Sequence, residues 1–428
     1  MMGRFALAVL LGLVATPAPA ASDSEARLCG DVRLEPPLRV EACTRALAAR
    51  DLTEQQHLRL LGARASAFDE LGDHARAIAD FDSALVLAPD DAALHLNRGV
   101  AKIHDGRPAD AIADYDAAIR LRPDWHLPYF NRAVALTDLG QRAAALKDYE
   151  RAVRLKPDDA WIYVGQGDVL AASGDAARAI DAYDKALALR PELDDPRAKR
   201  ASLLLRLGRP AEALPELDRV LATNPSKARL WRTRGEAKFQ LARYADAAAD
   251  LERALELAPR DGEVRRALAR AWLGAGDAAA AWGTLALDLE ASEDAADLTL
   301  AAMVAMLTDR LAAADALVRR AIDLQPGNPA AQAILSLVLR RQGDAESARD
   351  VAELAVAFAP EDAEIAAVAS LAGAEAGNGQ APLALPTNTP AEAARAACVA
   401  ALEAGDLGAA GDAGAAWSLC HLAAVTAR

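Results

Sequence analysis

The sequence predicts an all-α chain built as a linear stack of helical hairpins, and three observations carry that prediction. Pro89, Pro123, Pro157, Pro191, Pro225 and Pro259 recur every 34 residues. Gly72, Gly106, Gly140, Gly174 and Gly208 keep the same step. The composition is 53% hydrophobic but only 4% aromatic, so its apolar content is largely Ala and Leu, residues that lose little entropy in a helix. A chain of 428 residues has room for two or three ordinary domains; a fixed period of this length argues instead for one repeat array.

At the N-terminus, Arg4 precedes the apolar run Phe5 to Val14, and Ala18-Pro19-Ala20 supplies small residues. This is the pattern of a secretory signal peptide spanning 1–20 and cleaved after Ala20. It predicts an exported, periplasmic or extracellular protein. The run is shorter than the roughly 20 residues that cross a bilayer, and no second one follows, so no integral membrane span is expected after cleavage. Residues 21–57 read as an N-terminal coil followed by a capping helix, Val40 to Arg50, which covers the first repeat. The four cysteines fall into near-sequence pairs, and in an exported chain such pairs predict the disulfides Cys29–Cys43 and Cys398–Cys420.

With Leu58 as the first residue of a unit, each proline falls at position 32. Position 20 is Ala77, Ala111, Ala145, Ala179, Ala213 and Ala247, and position 8 is always Ala or Gly, from Ala65 to Gly235. Position 24 carries Phe81, Tyr115, Tyr149, Tyr183, Leu217 and Leu251. Large side chains thus face small ones where two antiparallel helices cross. The glycine at position 15 ends the first helix and the proline stops the second. Asp90, Asp124 and Asp158 are placed to cap the helix that follows.

These columns resemble the tetratricopeptide repeat, a helix-turn-helix unit of 34 residues. The resemblance is fullest over Tyr163–Pro191 and Trp231–Pro259, and relaxed at position 11, where Phe68, Lys102, Leu136, Leu170, Leu204 and Lys238 stand. It implies a right-handed α-solenoid of about nine units. Six regular units are expected over 58–261 and three degenerate ones over 262–362, where Gly276 and Ala281 keep the phase, Glu293 replaces the proline, and Ala314, Ala321 and Pro326 resume after a one-residue slip. A terminal helix at 363–376, a Gly- and Pro-rich linker at 377–390 and a small C-terminal helical hairpin at 391–428 complete the expected order.

The chemistry-bearing residues form no catalytic signature. The six histidines include no H-x-x-x-H pair, so neither a metal site nor a cofactor is expected. No G-x-S-x-G elbow, P-loop or dinucleotide fingerprint occurs. Asp80 and Asp114, one per repeat, read as a solvated face. The formal net charge of −14 repels phosphate backbones and disfavours nucleic acid.

What the resemblance does imply is a face lined by the first helix of every unit, contacting a protein or peptide partner through positions 2, 5, 6, 9, 12 and 13. Those columns nominate Leu96, Asn97, Phe130, Asn131, Trp161 and Val164, then Lys199, Arg206, Arg229, Arg232 and Phe239, with Asp168 and Glu236 among them. Asn97 and Asn131 resemble the ladder by which related grooves hold an extended backbone, and Gly165 and Lys199 interrupt it. Lys199, Arg229 and Arg232 are candidates to receive a carboxylate. The expected function is a non-catalytic interaction scaffold of the cell envelope. The alternatives are an accessory subunit or unrecognised enzyme of envelope glycan processing, and a self-associating structural protein.

Overall fold

The computed structural model describes residues 21–290, 292–362 and 365. The leader, Cys398–Cys420, the linker, the C-terminal hairpin and most of the proposed terminal helix lie outside the described residues. Within them the regular structure is entirely helical, with no strand among the described residues. The chain divides into two compact units at Leu203/Leu204.

In the first unit, α1 (Ala21–Gly30) and α2 (Pro36–Leu47) form a hairpin closed by the Cys29–Cys43 disulfide. The predicted coil is therefore a helix, and the capping helix has a partner after all. Four repeat hairpins follow: α3 (Glu54–Glu70) with α4 (His74–Leu87), α5 (Ala92–His104) with α6 (Pro108–Leu121), α7 (His126–Asp138) with α8 (Arg142–Leu155), and α9 (Ala160–Ala172) with α10 (Ala176–Leu189). Each packs on the next, so the core is a series of small apolar clusters between neighbours, as expected of a stack that grows in one dimension.

The unit boundary falls within α11 (Asp194–Arg206). The second unit contains α12 (Pro210–Thr223), the hairpins α13 (Ala228–Gln240)/α14 (Tyr244–Leu257) and α15 (Gly262–Gly274)/α16 (Ala278–Leu285), then α17 (Ala295–Leu307)/α18 (Leu311–Leu324) and α19 (Pro329–Arg341)/α20 (Ala345–Phe358). Its largest cluster spans α15 to α20, the stretch where the sequence pattern is weakest.

The repeat columns translate directly into packing. A Cβ added at Gly99 would lie 2.6 Å from the Tyr115 ring, at Gly167 2.6 Å from Tyr183, and at Gly235 2.8 Å from Leu251. Position 8 is thus small because the position-24 side chain fills its place, and close packing leaves no room for both. All six position-20 alanines are fully buried. At position 15 the backbone takes a positive φ, from 68° at Gly208 to 84° at Gly174, the region that Gly enters without a Cβ clash.

Two local expectations are corrected. The caps sit one residue later than predicted: Asp91 accepts from the Ala93 and Leu94 N–H groups, and Asp159 from Trp161 N–H, while Trp125 occupies the equivalent cap of α7 without a side-chain bond. The first repeat helix starts ahead of Leu58, because Thr53 and Gln56 form a reciprocal capping box that satisfies two of its free N–H groups.

Candidate binding face

The nominated residues lie on the first helices of their hairpins, but burial sorts them sharply. In the first unit, Leu96, Asn97, Phe130, Asn131 and Val164 are all buried, none more than 6% exposed. Leu96 and Val164 sit within apolar clusters, and Phe130 meets Tyr149 edge-on with centroids 6.1 Å apart. The part of the face that reads as apolar is therefore largely core. Trp161 is partly exposed, with the Arg190 guanidinium 5.9 Å from its ring.

Position 6 shows why the asparagine ladder is short. Gly165 is glycine because Tyr149 occupies the space a side chain would need, its hydroxyl 2.6 Å from a built Cβ. Lys199 is held by Asp168 at 2.7 Å and Asp195 at 3.0 Å, and the Tyr183 hydroxyl donates to Asp168 at 2.7 Å. Asn131 differs from both. It is fully buried, and neither its Oδ1 nor its Nδ2 has a hydrogen-bond partner, a state that costs roughly 1–3 kcal/mol for each unsatisfied group.

In the second unit, Arg232 is paired with Glu263 at 2.5 Å and Glu236 at 3.5 Å. Burial pushes the Glu236 carboxyl above the usual range, against the attraction of Arg232. Arg206 and Arg229 are exposed. Phe239, half-buried, packs edge-on against Tyr244 at 5.3 Å. Of the three expected carboxylate receivers, then, two already hold the chain's own acids.

Charged residues that the sequence reading set aside prove structural. Asp80, Asp114, Asp148 and Asp250 are buried rather than solvated. Each accepts from the arginine at position 7 of its own hairpin: Arg64 to Asp80 at 2.7 Å, Arg98 to Asp114 at 3.0 Å, Arg132 to Asp148 at 2.6 Å and Arg234 to Asp250 at 2.8 Å. The same arginines reach back to the preceding hairpin, Arg98 and Arg234 at 2.7 Å from Asp82 and Asp218, and Arg132 likewise to Asp116. Arg200 makes the backward bond to Asp184 at 2.5 Å. Reading the Arg column beside the Asp column 16 residues on would have found this ladder.

A second group missed in sequence is Asp69, His74 and His104, brought together from α3, α4 and α5. A search for local histidine pairs could not find it, since Asp69 and His104 stand 35 residues apart, in neighbouring columns of consecutive repeats. Elsewhere, a recess of about 750 Å³ is lined by Ser292, Glu293, Asp294, Asp297, Leu324 and Gln325. It is shallow, and Arg266 already binds Asp294 and Asp297 at 2.7 and 2.6 Å. No helix among the described residues is long and apolar enough to cross a membrane.

Stacked helical hairpins with this small-and-large pairing define the class, a repeat protein of interaction-scaffold type. The particular family follows from three tetratricopeptide-repeat models, which match residues 63–124, 130–194 and 299–363, residues 170–236, and residues 217–272. Together they cover more than half of the chain, which belongs to the tetratricopeptide-repeat family. No curated protein matches it. Among solved structures it is similar to MamA from Desulfovibrio magneticus RS-1, with 24% identity over 39% of this chain and 93% of that one and a TM-score of 0.38. A tetratricopeptide repeat protein from Parabacteroides merdae shares 16% identity over 58% of this chain and 97% of its own, with a TM-score of 0.43. The C-terminal part of a TPR repeat-containing protein from Cytophaga hutchinsonii shares 18% over 58% and 98%, at 0.46.

Proposed function

We propose that this protein is a non-catalytic scaffold of the cell envelope, and that the first-helix face of its hairpins holds an extended segment of a partner protein. The observation that carries this reading is Asn131. Its carboxamide is fully buried with no hydrogen-bond partner, and the peptide unit of a partner supplies the donor and acceptor it lacks once the side chains covering it move aside. In the next hairpin of the stack, the partly exposed Trp161 offers apolar contact. The leader read from residues 1–20 supports an extracytoplasmic setting for the partner, and the acidic balance of the chain favours a neutral or basic segment.

The test is affinity capture of partners from the envelope fraction with wild type and with Asn131→Ala, alone and with Asn97→Ala. The substitution removes an unsatisfied polar group, so the variant is expected to be as stable as wild type or more so, while partner recovery falls. Equal recovery by a folded Asn131→Ala protein would remove the face as located here. The N-terminal mass of the exported protein tests the location separately: a chain beginning at Ala21 supports it, and retention of Met1 overturns it.

A further inference from the structure

Five aspartates are buried among the described residues, and four of them touch an arginine. Asp69 is the exception. Its side chain is 3% exposed, and its ionic partners are two histidines, which are charged only if protonated. His74 Nδ1 lies 2.8 Å from Oδ1, and His104 Nδ1 lies 2.9 Å from Oδ2 and 3.1 Å from Oδ1. The imidazole rings are 5.4 Å apart and inclined at 49°. One ligand atom from each of the three side chains falls within 4.8 Å of the others.

A buried carboxylate in a protein is compensated by a hydrogen-bonded charge or by a metal. The other four buried aspartates are each met by an arginine, whereas the groups that meet Asp69 are two imidazoles, whose ring nitrogens are metal-ligand atoms. Two imidazole nitrogens and one carboxylate oxygen are a donor set suited to zinc and similar first-row divalent ions. The position suits a cation as well, because α3 and α5 both end here and helix C-termini carry partial negative charge. The Asp69 end is enclosed, whereas the side chains of His74 and His104 are 23% and 32% exposed. That leaves an approach from solvent and a fourth position for water or a partner's side chain.

We propose that Asp69, His74 and His104 form a binding site for one divalent transition-metal ion, zinc by the chemistry of its donors. Each imidazole proton moves to Nε2 on binding, so that both Nδ1 lone pairs face the ion. Three protein ligands and one open position tie the first two repeat hairpins together, since α3 and α4 belong to one and α5 to the next.

The test uses the full mature chain without an affinity tag, stripped with a chelator and titrated with zinc chloride by calorimetry. Bound metal is counted after dialysis, and cobalt(II) serves as a spectroscopic probe of coordination. Wild type is expected to retain one zinc per chain. His104→Ala should bind at least 100-fold more weakly, and His74→Ala/His104→Ala should retain none, both with unchanged helical circular dichroism. His126→Ala, at a histidine outside the cluster, should match wild type. No zinc on wild type, or equal affinity in the folded double variant, overturns the assignment.

Discussion

Removing one arginine from the ladder measures how firmly successive hairpins are bound to each other. Arg132 makes two bonds to Asp148 of its own hairpin, at 2.6 and 2.7 Å, and a further one to Asp116 of the hairpin before. The hydrogen bonds to Asp148, set against burial, raise its already high pKa, so the guanidinium is charged at any working pH. The Asp148 side chain is 9% exposed and that of Arg132 22%. Arg132→Leu therefore strands an enclosed carboxylate, a loss of about 3–5 kcal/mol for a fully buried pair, and about 2–4 kcal/mol here because the arginine is partly wet. The bond to Asp116 adds little, since that carboxylate is 41% exposed and exposed pairs contribute about 0–1 kcal/mol.

The double variant Arg132→Leu/Asp148→Leu separates the stranded charge from lost packing. Replacing both members of a buried pair by apolar residues is often neutral or stabilising, so most of the loss should return. Because a repeat array need not unfold in one step, the suitable assay is amide hydrogen exchange in α7 and α8, with a denaturant midpoint alongside. The single variant should lose protection about thirty- to several-hundred-fold, one decade for each 1.4 kcal/mol. If it exchanges like wild type, or the double variant is no better than the single, the ladder is not what holds these hairpins.

The turn column makes a paired prediction. Ala242 holds φ at +57° where the other regular repeats have glycine, so Ala242→Gly should stabilise α13–α14 by about 0.5–1 kcal/mol, the left-handed strain relieved less the entropy that glycine adds to the unfolded chain. Gly208→Ala, at +68°, should lose a similar amount; thermal melts of the two against wild type check the opposite signs. Burial lowers the His126 pKa from its ordinary value near 6.5. Its contribution is thus present above that value and lost as pH falls through the folded pKa, and His126→Gln should flatten this acid-side loss in melts run across the range. Reducing Cys29–Cys43, a separation of 14 residues, should cost about 3 kcal/mol in the chain-entropy account. Exchange should rise first in α1 and α2, with α9 and α10 unaffected.

Repeat periodicity made the hairpins legible because three constraints recur in phase. A left-handed turn, a stop and a small-on-large crossing each need a particular residue type, and each mark is visible in a single column. What stayed hidden needs two columns at once. Asp114 looks like any surface acid until Arg98 is placed 16 residues before it across a hairpin. Asp69 and His104 share no repeat at all. The helix at Ala21–Gly30 was missed for another reason, since it lies before the repeat begins and takes its place through the Cys29–Cys43 bridge and packing on α2 and α3. On the binding face, sequence position named the correct helices but not the depth of each side chain. Depth depends on neighbours such as Tyr149, which fills the place beside Gly165.

A repeat also supplies its own standard for what is unusual. Column 23 puts a carboxylate in the core of four hairpins and column 7 answers with an arginine each time, so burial of charge at those places is explained by the architecture alone. Asn131 and Asp69 lie outside that pairing, at positions 6 and 12 of their repeats: the carboxamide has no hydrogen-bond partner, and the carboxylate meets two histidines instead of an arginine. In a stack where each hairpin touches only its neighbours, an uncompensated group weakens one contact and spares the rest, so the fold tolerates such sites at local cost. Exceptions to a locally consistent pattern are where function is expected to reside. On that argument the two places to probe with ligands are the buried carboxamide in α7 and the carboxylate between two histidines at the ends of α3 and α5, in preference to the more conspicuous charges of Lys199 and Arg232, which already hold acids of their own chain.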